Sequence, residues 1–331
     1  MQNLTSASEE LFRRGPDECF ATFDALWQHC QEAKARSVER WHPPTELRAE
    51  PYAGRLRLLG GDEATYRLND WSFTQLCSLA GVSKDTVNRL SAATASQVFA
   101  ETLPGGSKPL QFLTVGSGDA ELVRAVHGAA YTRLFDADLL SMVREFATDF
   151  QPPQEAAFAA GGQPIQRDDA ADSLGGDDAT HRGGTGLYRG EQDMFVFLID
   201  PTGWTEIAGE AFAPGFFLWN SEVGKRSVGI QTFWFQAVCQ NHIVWDAVEV
   251  VEFSRKHTAN VHDAFTQIRE IVGRLVAKRD ERRDGFARVI RKAMETQLGG
   301  SADEVLKVLS AKGITRALAK EALEVAKESG R

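Results

Sequence analysis

Between residues 190 and 257 the chain carries four dense runs of aromatic, β-branched and aliphatic side chains: DMFVFLID, GFFLWNSEVG, SVGIQTFWFQAVCQN and HIVWDAVEVVEFSRKH. Runs of this length and composition read as strands. The first is apolar at successive positions, which predicts burial on both faces. Tight turns between the runs favour antiparallel pairing of neighbouring strands. This block sets the fold class: α+β, with a central antiparallel β-sheet flanked by helices.

The remainder is organised around that sheet. Residues 8–39 read as helix, with Phe20, Phe23, Leu26 and Trp27 at helical spacing. RWHPPTELRAEPYAG holds three prolines and a glycine and reads as a loop or extended arm. Residues 1–63 are therefore expected to be an N-terminal helix and Pro-rich linker, with the core at 64–298. Within the core, 71–100 reads as short helices, closed at Gly81 and capped anew by Ser83. LQFLTVGSG reads as a strand, and a helix follows with Leu139, Leu140, Val143 and Phe146 inward. Residues 151–192, rich in Gly, Asp and Ala, are expected to be irregular. After His257 the period turns helical through Val261, Phe265, Ile268, Val272 and Leu275, and KRDERRDG beyond it reads as a solvated stretch or a bend at Gly285. Residues 299–331 read as a C-terminal helical hairpin: Ser301 and Glu304 form a capping box, and Gly313 closes the first helix.

Charge and cysteine usage narrow the context. No run approaches the roughly 20 apolar residues that span a bilayer, and the first residues hold acids and no apolar run, unlike a secretory signal. Cys19, Cys30, Cys77 and Cys239 are scattered without a CxxC pair, which fits a reducing, cytoplasmic setting. The net charge of −9 repels nucleic acid, yet residues 255–292 hold eleven Arg/Lys against five Asp/Glu. A polyanion would need that kind of local basic surface.

Several strings invite a chemical reading. Asn220-Ser221-Glu222-Val223-Gly224-Lys225-Arg226-Ser227 sets polar groups between two apolar strands. It reads as a site rim, with Lys225 and Arg226 meeting phosphate, or as a hairpin whose charged tip stays in water. Gln240-Asn241-His242 is a second polar turn. Arg255-Lys256-His257 closes the last strand and is either an anion contact or a solvated strand end. The Gly81 turn between Gln75 and Leu90 has a helix-turn-helix rhythm that would aim Lys84, Asp85, Asn88 and Arg89 at a groove, or is a plain hairpin inside a larger domain. The acidic stretch with Asp168, Asp169, Asp172, Asp177, Asp178 and His181 lacks EF-hand spacing, and there is no HExxH. Glycines 183, 184 and 186 precede a strand, not a helix, which is the wrong order for a P-loop. No cofactor is expected. A metal-dependent hydrolase or nuclease would draw on Asp193, Glu222 and Asp246.

Three stretches resemble the domain-of-unknown-function family 932, the phage/plasmid-like proteins: FTQLCSLAGVSKDTVNRL, LVRAVHGAAYTRLFDADLL and FFLWNSEVGKRSVGIQTFWFQAVCQNHIVW. With the Arg255–His257 end they cover about residues 65–300. His127-Gly128 stands where a small polar residue is more usual, and His242 follows Asn241 where glycine is expected. The resemblance implies a mobile-element or bacterial origin and no established enzyme activity. The site rim expected on these grounds comprises Asn220, Ser221, Glu222, Asn241, Arg124, Tyr131 and Arg189. The leading functional expectation is a nucleic-acid-associated accessory protein that binds DNA, single-stranded more than double-stranded, through Lys225, Arg226, Arg255, Lys256 and His257. The alternatives are the metal-dependent enzyme and a non-enzymatic assembly protein whose terminal helices dock a partner or a second copy.

Overall fold

The computed structural model describes residues 18–61, 63–103, 105, 108–116, 120–152, 186–207, 210–236, 243–245 and 251–328. These form an α+β fold with two sheets. The first has six strands, β1 (Ser37–His42), β2 (Arg48–Tyr52), β3 (Arg55–Leu59), β4 (Thr65–Leu68), β5 (Leu110–Val115) and β6 (Glu121–Gly128), in the order β1-β5-β6-β4-β3-β2. Only β4 and β6 pair in parallel. Such a pair needs a long crossover, which α1 does not supply because α1 (Phe23–Arg36) precedes the sheet. The crossover is made by α2 (Asp70–Leu79), α3 (Lys84–Val87), α4 (Ala92–Thr102) and β5. Asn69, Ser83 and Ser91 cap the three helices by accepting from the backbone N–H three residues on. Leu76, Cys77, Val87, Ala95 and Phe99 of the helices bury one face of the sheet against Leu58, Tyr66, Phe112 and Val126.

The second sheet is the aromatic block. It comprises β7 (Leu187–Arg189), β8 (Met194–Ile199), β9 (Thr205–Ile207), β10 (Glu210–Asn220), β11 (Val228–Gln236), β12 (Ile243–Trp245) and β13 (Glu252–Arg255), all pairing antiparallel. Pro214 is tolerated inside β10 because it falls between the stretch paired to β9 and the stretch paired to β8. One face meets α1, α5 (Asp136–Phe146) and α6 (Asp263–Ala277) through Leu26, Leu139, Val143, Val196, Leu218, Ile268 and Val272. The other carries Phe195, Phe197, Phe217 and Phe233, with Phe197 and Phe217 stacked at 5.2 Å. Gly215 lies against Phe233 on this face and leaves no room for a Cβ. Helix α7 (Arg279–Glu295) docks by laying Phe286 flat on Trp234, ring centroids 4.1 Å apart. The chain closes with α8 (Ala302–Ala311) and α9 (Arg316–Glu328), capped by Ser301 and turned at Gly313 (φ +83°).

Three expectations need correcting. The first sheet was not foreseen: residues 37–59, read as helix end and Pro-rich linker, form three of its strands. Pro44 opens a single turn between β1 and β2, and Pro51 sits on the edge strand β2, where a missing N–H costs least. The bend after α6 comes at Lys278, while Gly285 lies inside α7. The second helix of the supposed helix-turn-helix, α3, is four residues long, too short to lie along a major groove. Residues 1–17 and 153–185, which include the start of the N-terminal helix and the acidic and glycine-rich strings, lie outside the described residues, as do Cys239 to His242 and Asp246.

Candidate functional site

The turn from Asn220 to Ser227 joins β10 to β11, as a hairpin should, but its first half does not reach water. Asn220, Ser221, Glu222 and Val223 are buried. Val223 packs with Leu113 and Ala125 of the first sheet and with Trp71 and Phe135. Its carbonyl accepts from Trp71 Nε1 (2.8 Å) and Gln75 Nε2 (3.0 Å), while Gln75 Oε1 accepts from the backbone N–H of Val126. Gly224, at φ +78°, presses on His127 so closely that a side chain would collide with the ring. The second sheet thus inserts its central turn into the first.

Around Glu222 the expected rim residues converge. Arg124 Nη1 on β6 and Arg189 Nη2 on β7 both donate to Glu222 Oε2, at 3.0 and 3.1 Å. Glu222 Oε1 accepts from the backbone N–H of Asp136, the first residue of α5 (3.1 Å). Phe135 has no side chain able to cap that helix, so a carboxylate 86 residues away serves instead. Asp136 in turn accepts from Arg189 Nε (3.2 Å) and from Asn220 Nδ2 (2.8 Å), and Asn220 Nδ2 also donates to the Leu134 carbonyl. Tyr131 donates to the Ser221 and Glu222 carbonyls, and Ser221 Oγ donates to the Gln192 carbonyl. Arg133 joins from the other side, donating to Glu39, Gln111 and the Glu222 carbonyl.

Six expected residues, Asn220, Ser221, Glu222, Arg124, Tyr131 and Arg189, therefore belong to one network. They form an interior junction and not a rim, because α5 and the first sheet close over them. Asn241 lies outside the described residues. The sequence reading missed Asp136, Arg133, His127, His29, Gln75 and Trp71. Asp136 was visible as the aspartate opening an apolar helix; the others are drawn in mainly by partners 50 to 160 residues away, although Arg133 also reaches Gln111 and His127 stacks on Tyr131.

The electrostatics follow from burial. Full burial, and then the neighbouring Glu222, push the Asp136 carboxyl up to about 7. Burial also opposes the Glu222 charge, but Arg189 and Arg124 outweigh it and hold that carboxyl below its usual range. Arg189 also donates to His29 Nε2 at 3.2 Å; desolvation and that guanidinium lower the His29 pKa. Tyr131 stacks on His127 at 3.6 Å and on His257 at 5.3 Å. Desolvation drives both imidazoles down, His127 to about 3 and His257 to about 4. His257, expected as an exposed anion contact, is instead buried and neutral near pH 7.

The other four expected cations belong to the same end of the second sheet but not to one face of it: Arg226 lies over the Phe195 ring and Arg255 over Phe253, which pack on opposite faces. The pairing of Val228 with Arg255 brings Arg255-Lys256 beside Lys225-Arg226. Lys225 and Lys256 are exposed. Lys225 Nζ lies 4.8 Å from the Trp71 ring centroid. Arg226 pairs with Asp193 (2.8 Å) and Arg255 with Asp263 (3.2 Å). Of the three carboxylates considered for a metal, Asp193 and Glu222 are engaged by guanidinium groups and Asp246 is outside the described residues; among those described, no three metal-binding side chains gather.

Residues 160–311, from before β7 through α8, match the model of a domain of unknown function, DUF932. The chain carries a DUF932 domain. The matched segment holds the second sheet, the Asn220–Ser227 turn and the basic end; Arg124, Tyr131 and Asp136 precede it, so the junction is made between the DUF932 segment and the first sheet's side of the chain. No curated protein and no solved structure matches the chain. Among the described residues no helix is long and apolar enough to cross a membrane.

Proposed function

We propose that this DUF932 protein is a nucleic-acid-associated accessory protein, of phage- or plasmid-like type, that binds single-stranded DNA at the end of its second sheet. The observation that carries the reading is that the β11–β13 register brings two sequence-remote basic pairs, Lys225-Arg226 and Arg255-Lys256, to the same end of the second sheet. Arg226 pairs with Asp193 and Arg255 with Asp263, while Lys225 and Lys256 are exposed, in a chain whose overall charge is negative. The Arg255–Asp263 pair is exposed and weak enough for phosphate to replace the carboxylate. Trp71, half-buried under Lys225, offers an aromatic surface beside the cations, and base stacking on such surfaces tolerates any sequence. The buried junction beneath holds the turn at a fixed angle, so the cations are presented without first being ordered.

The test is an electrophoretic shift with single- and double-stranded oligonucleotides. Binding is expected at about 10 µM protein in low salt, within the range of sequence-independent association. Four phosphate contacts on a single strand predict that affinity falls roughly 50-fold between about 50 and 200 mM salt. Lys225→Glu with Lys256→Glu should abolish the shift. Absence of any shift from the natural protein in low salt would overturn the reading.

A further inference from the structure

The C-terminal helices α8 and α9 are strongly amphipathic, yet they bury almost nothing. No residue of α8 is buried, and of the described side chains of α9 only Ala319 is. Val308 is 36% exposed and Leu318 57%. Five of the eight large apolar side chains exposed among the described residues lie between Val289 and Leu318. A two-helix hairpin of this size cannot close a core by itself.

Its charges show what would cover it. The two helices are joined by four residues and pack on each other, so they run antiparallel. Residues 307–320, around the connecting turn, contain Lys307, Lys312, Arg316 and Lys320 and no acid. The two stretches at the open end, 301–306 and 321–328, contain Asp303, Glu304, Glu321, Glu324 and Glu328 against the single cation Lys327. One end thus carries a net charge of +4 and the other −4. Within one hairpin this sets like charge beside like at both ends. In α9 it also runs against the helix dipole, with Arg316 and Lys320 near the N-terminus and Glu324 and Glu328 near the C-terminus. Among the described residues no ion pair offsets either cost.

Both are relieved by one arrangement. We infer that the α8–α9 hairpin is a self-association module that pairs with the same hairpin of a second copy, antiparallel, as a four-helix bundle around a two-fold axis. The basic turn of each copy then lies along the acidic open end of the other, and Val308 and Leu318 meet in the centre. A two-fold interface is self-complementary by construction, and a +4/−4 polarity satisfies that requirement, whereas a parallel pairing sets like ends together.

Sedimentation equilibrium of the full chain tests this. The natural protein is expected to be dimeric at micromolar concentration, and Leu318→Glu to halve the mass. Arg316→Glu with Lys320→Glu should also give a monomer, although these changes improve the charge of α9 toward its own dipole and leave helix content by circular dichroism unchanged or higher. Asp303→Lys with Glu321→Lys should give a monomer too, and mixing the two charge-reversed proteins should restore a dimer. A natural protein that stays monomeric, a dimer that survives Leu318→Glu, or reversed proteins that fail to re-form a dimer on mixing would each overturn the inference.

Discussion

Glu222→Ala is expected to lower the unfolding free energy by about 3–5 kcal/mol, the range seen when one partner of a buried ion pair is removed. The change leaves Arg124 and Arg189 facing each other in the interior and takes the cap from the first N–H of α5. It strikes the second sheet, the first sheet and α5 together. Urea denaturation provides the measurement: the midpoint should fall with little change in slope. Glu222→Gln should cost less, since an amide oxygen still accepts from the α5 backbone and from one guanidinium. A loss within about 0.5 kcal/mol, ordinary for a surface substitution, is the result the junction does not allow.

Asp136→Asn is expected to do the reverse as pH rises. A group whose folded pKa is raised contributes stability that is fully present below its unfolded pKa and lost as pH climbs through the folded value. For Asp136 that window runs from its ordinary value of 3.8 to about 7. Across it the natural chain should lose up to about 4 kcal/mol relative to the asparagine variant, at roughly 1.4 kcal/mol per pH unit. The groups facing Asp136 are Arg189 from β7, Glu222 from the turn, Arg124 from β6 and Cys30 from α1, with His29 one step further behind Arg189. His127 and His257 act in the opposite sense, losing stability as pH falls below their unfolded value of 6.5, because the folded chain resists protonating them. Subtracting the variant's profile from the natural one cancels that histidine contribution. The difference should grow from about pH 4 and level off above about pH 7; a flat difference means that Asp136 titrates normally.

Much of the second sheet was legible because its strands are local events: a run such as DMFVFLID has no other way to leave water. Of the first sheet only β5, in LQFLTVGSG, was legible. RWHPPTELRAEPYAG carries prolines that argue against strand; its start becomes strand by the pairing of β1 with β5, more than 60 residues on, and its end by the β2–β3 hairpin. The helix ends were readable wherever a cap is local, as at Ser83, Ser301 and Gly313. They were not readable at α5, whose cap is Glu222. The same rule explains the site. The string from Asn220 to Ser227 stood out by its polarity between apolar strands, but polarity alone is equally consistent with a solvated tip and a buried junction. Deciding between them requires knowing that Trp71, Gln75, Arg124 and Asp136 arrive from elsewhere to satisfy it. Lys225 and Arg226 differ from Glu222 in fate, though only three and four residues apart, because the chain leaves the interior at Gly224.

The central claim is that Arg124 and Glu222 act as one buried pair joining the strands of the DUF932 segment to the rest of the chain. A double-mutant cycle with Arg124→Met and Glu222→Gln, read by urea denaturation near neutral pH, measures it directly. A coupling energy of about 2–3 kcal/mol is expected, at the upper end for directly contacting residues. A coupling below about 0.5 kcal/mol, the level of additive and independent sites, would contradict it.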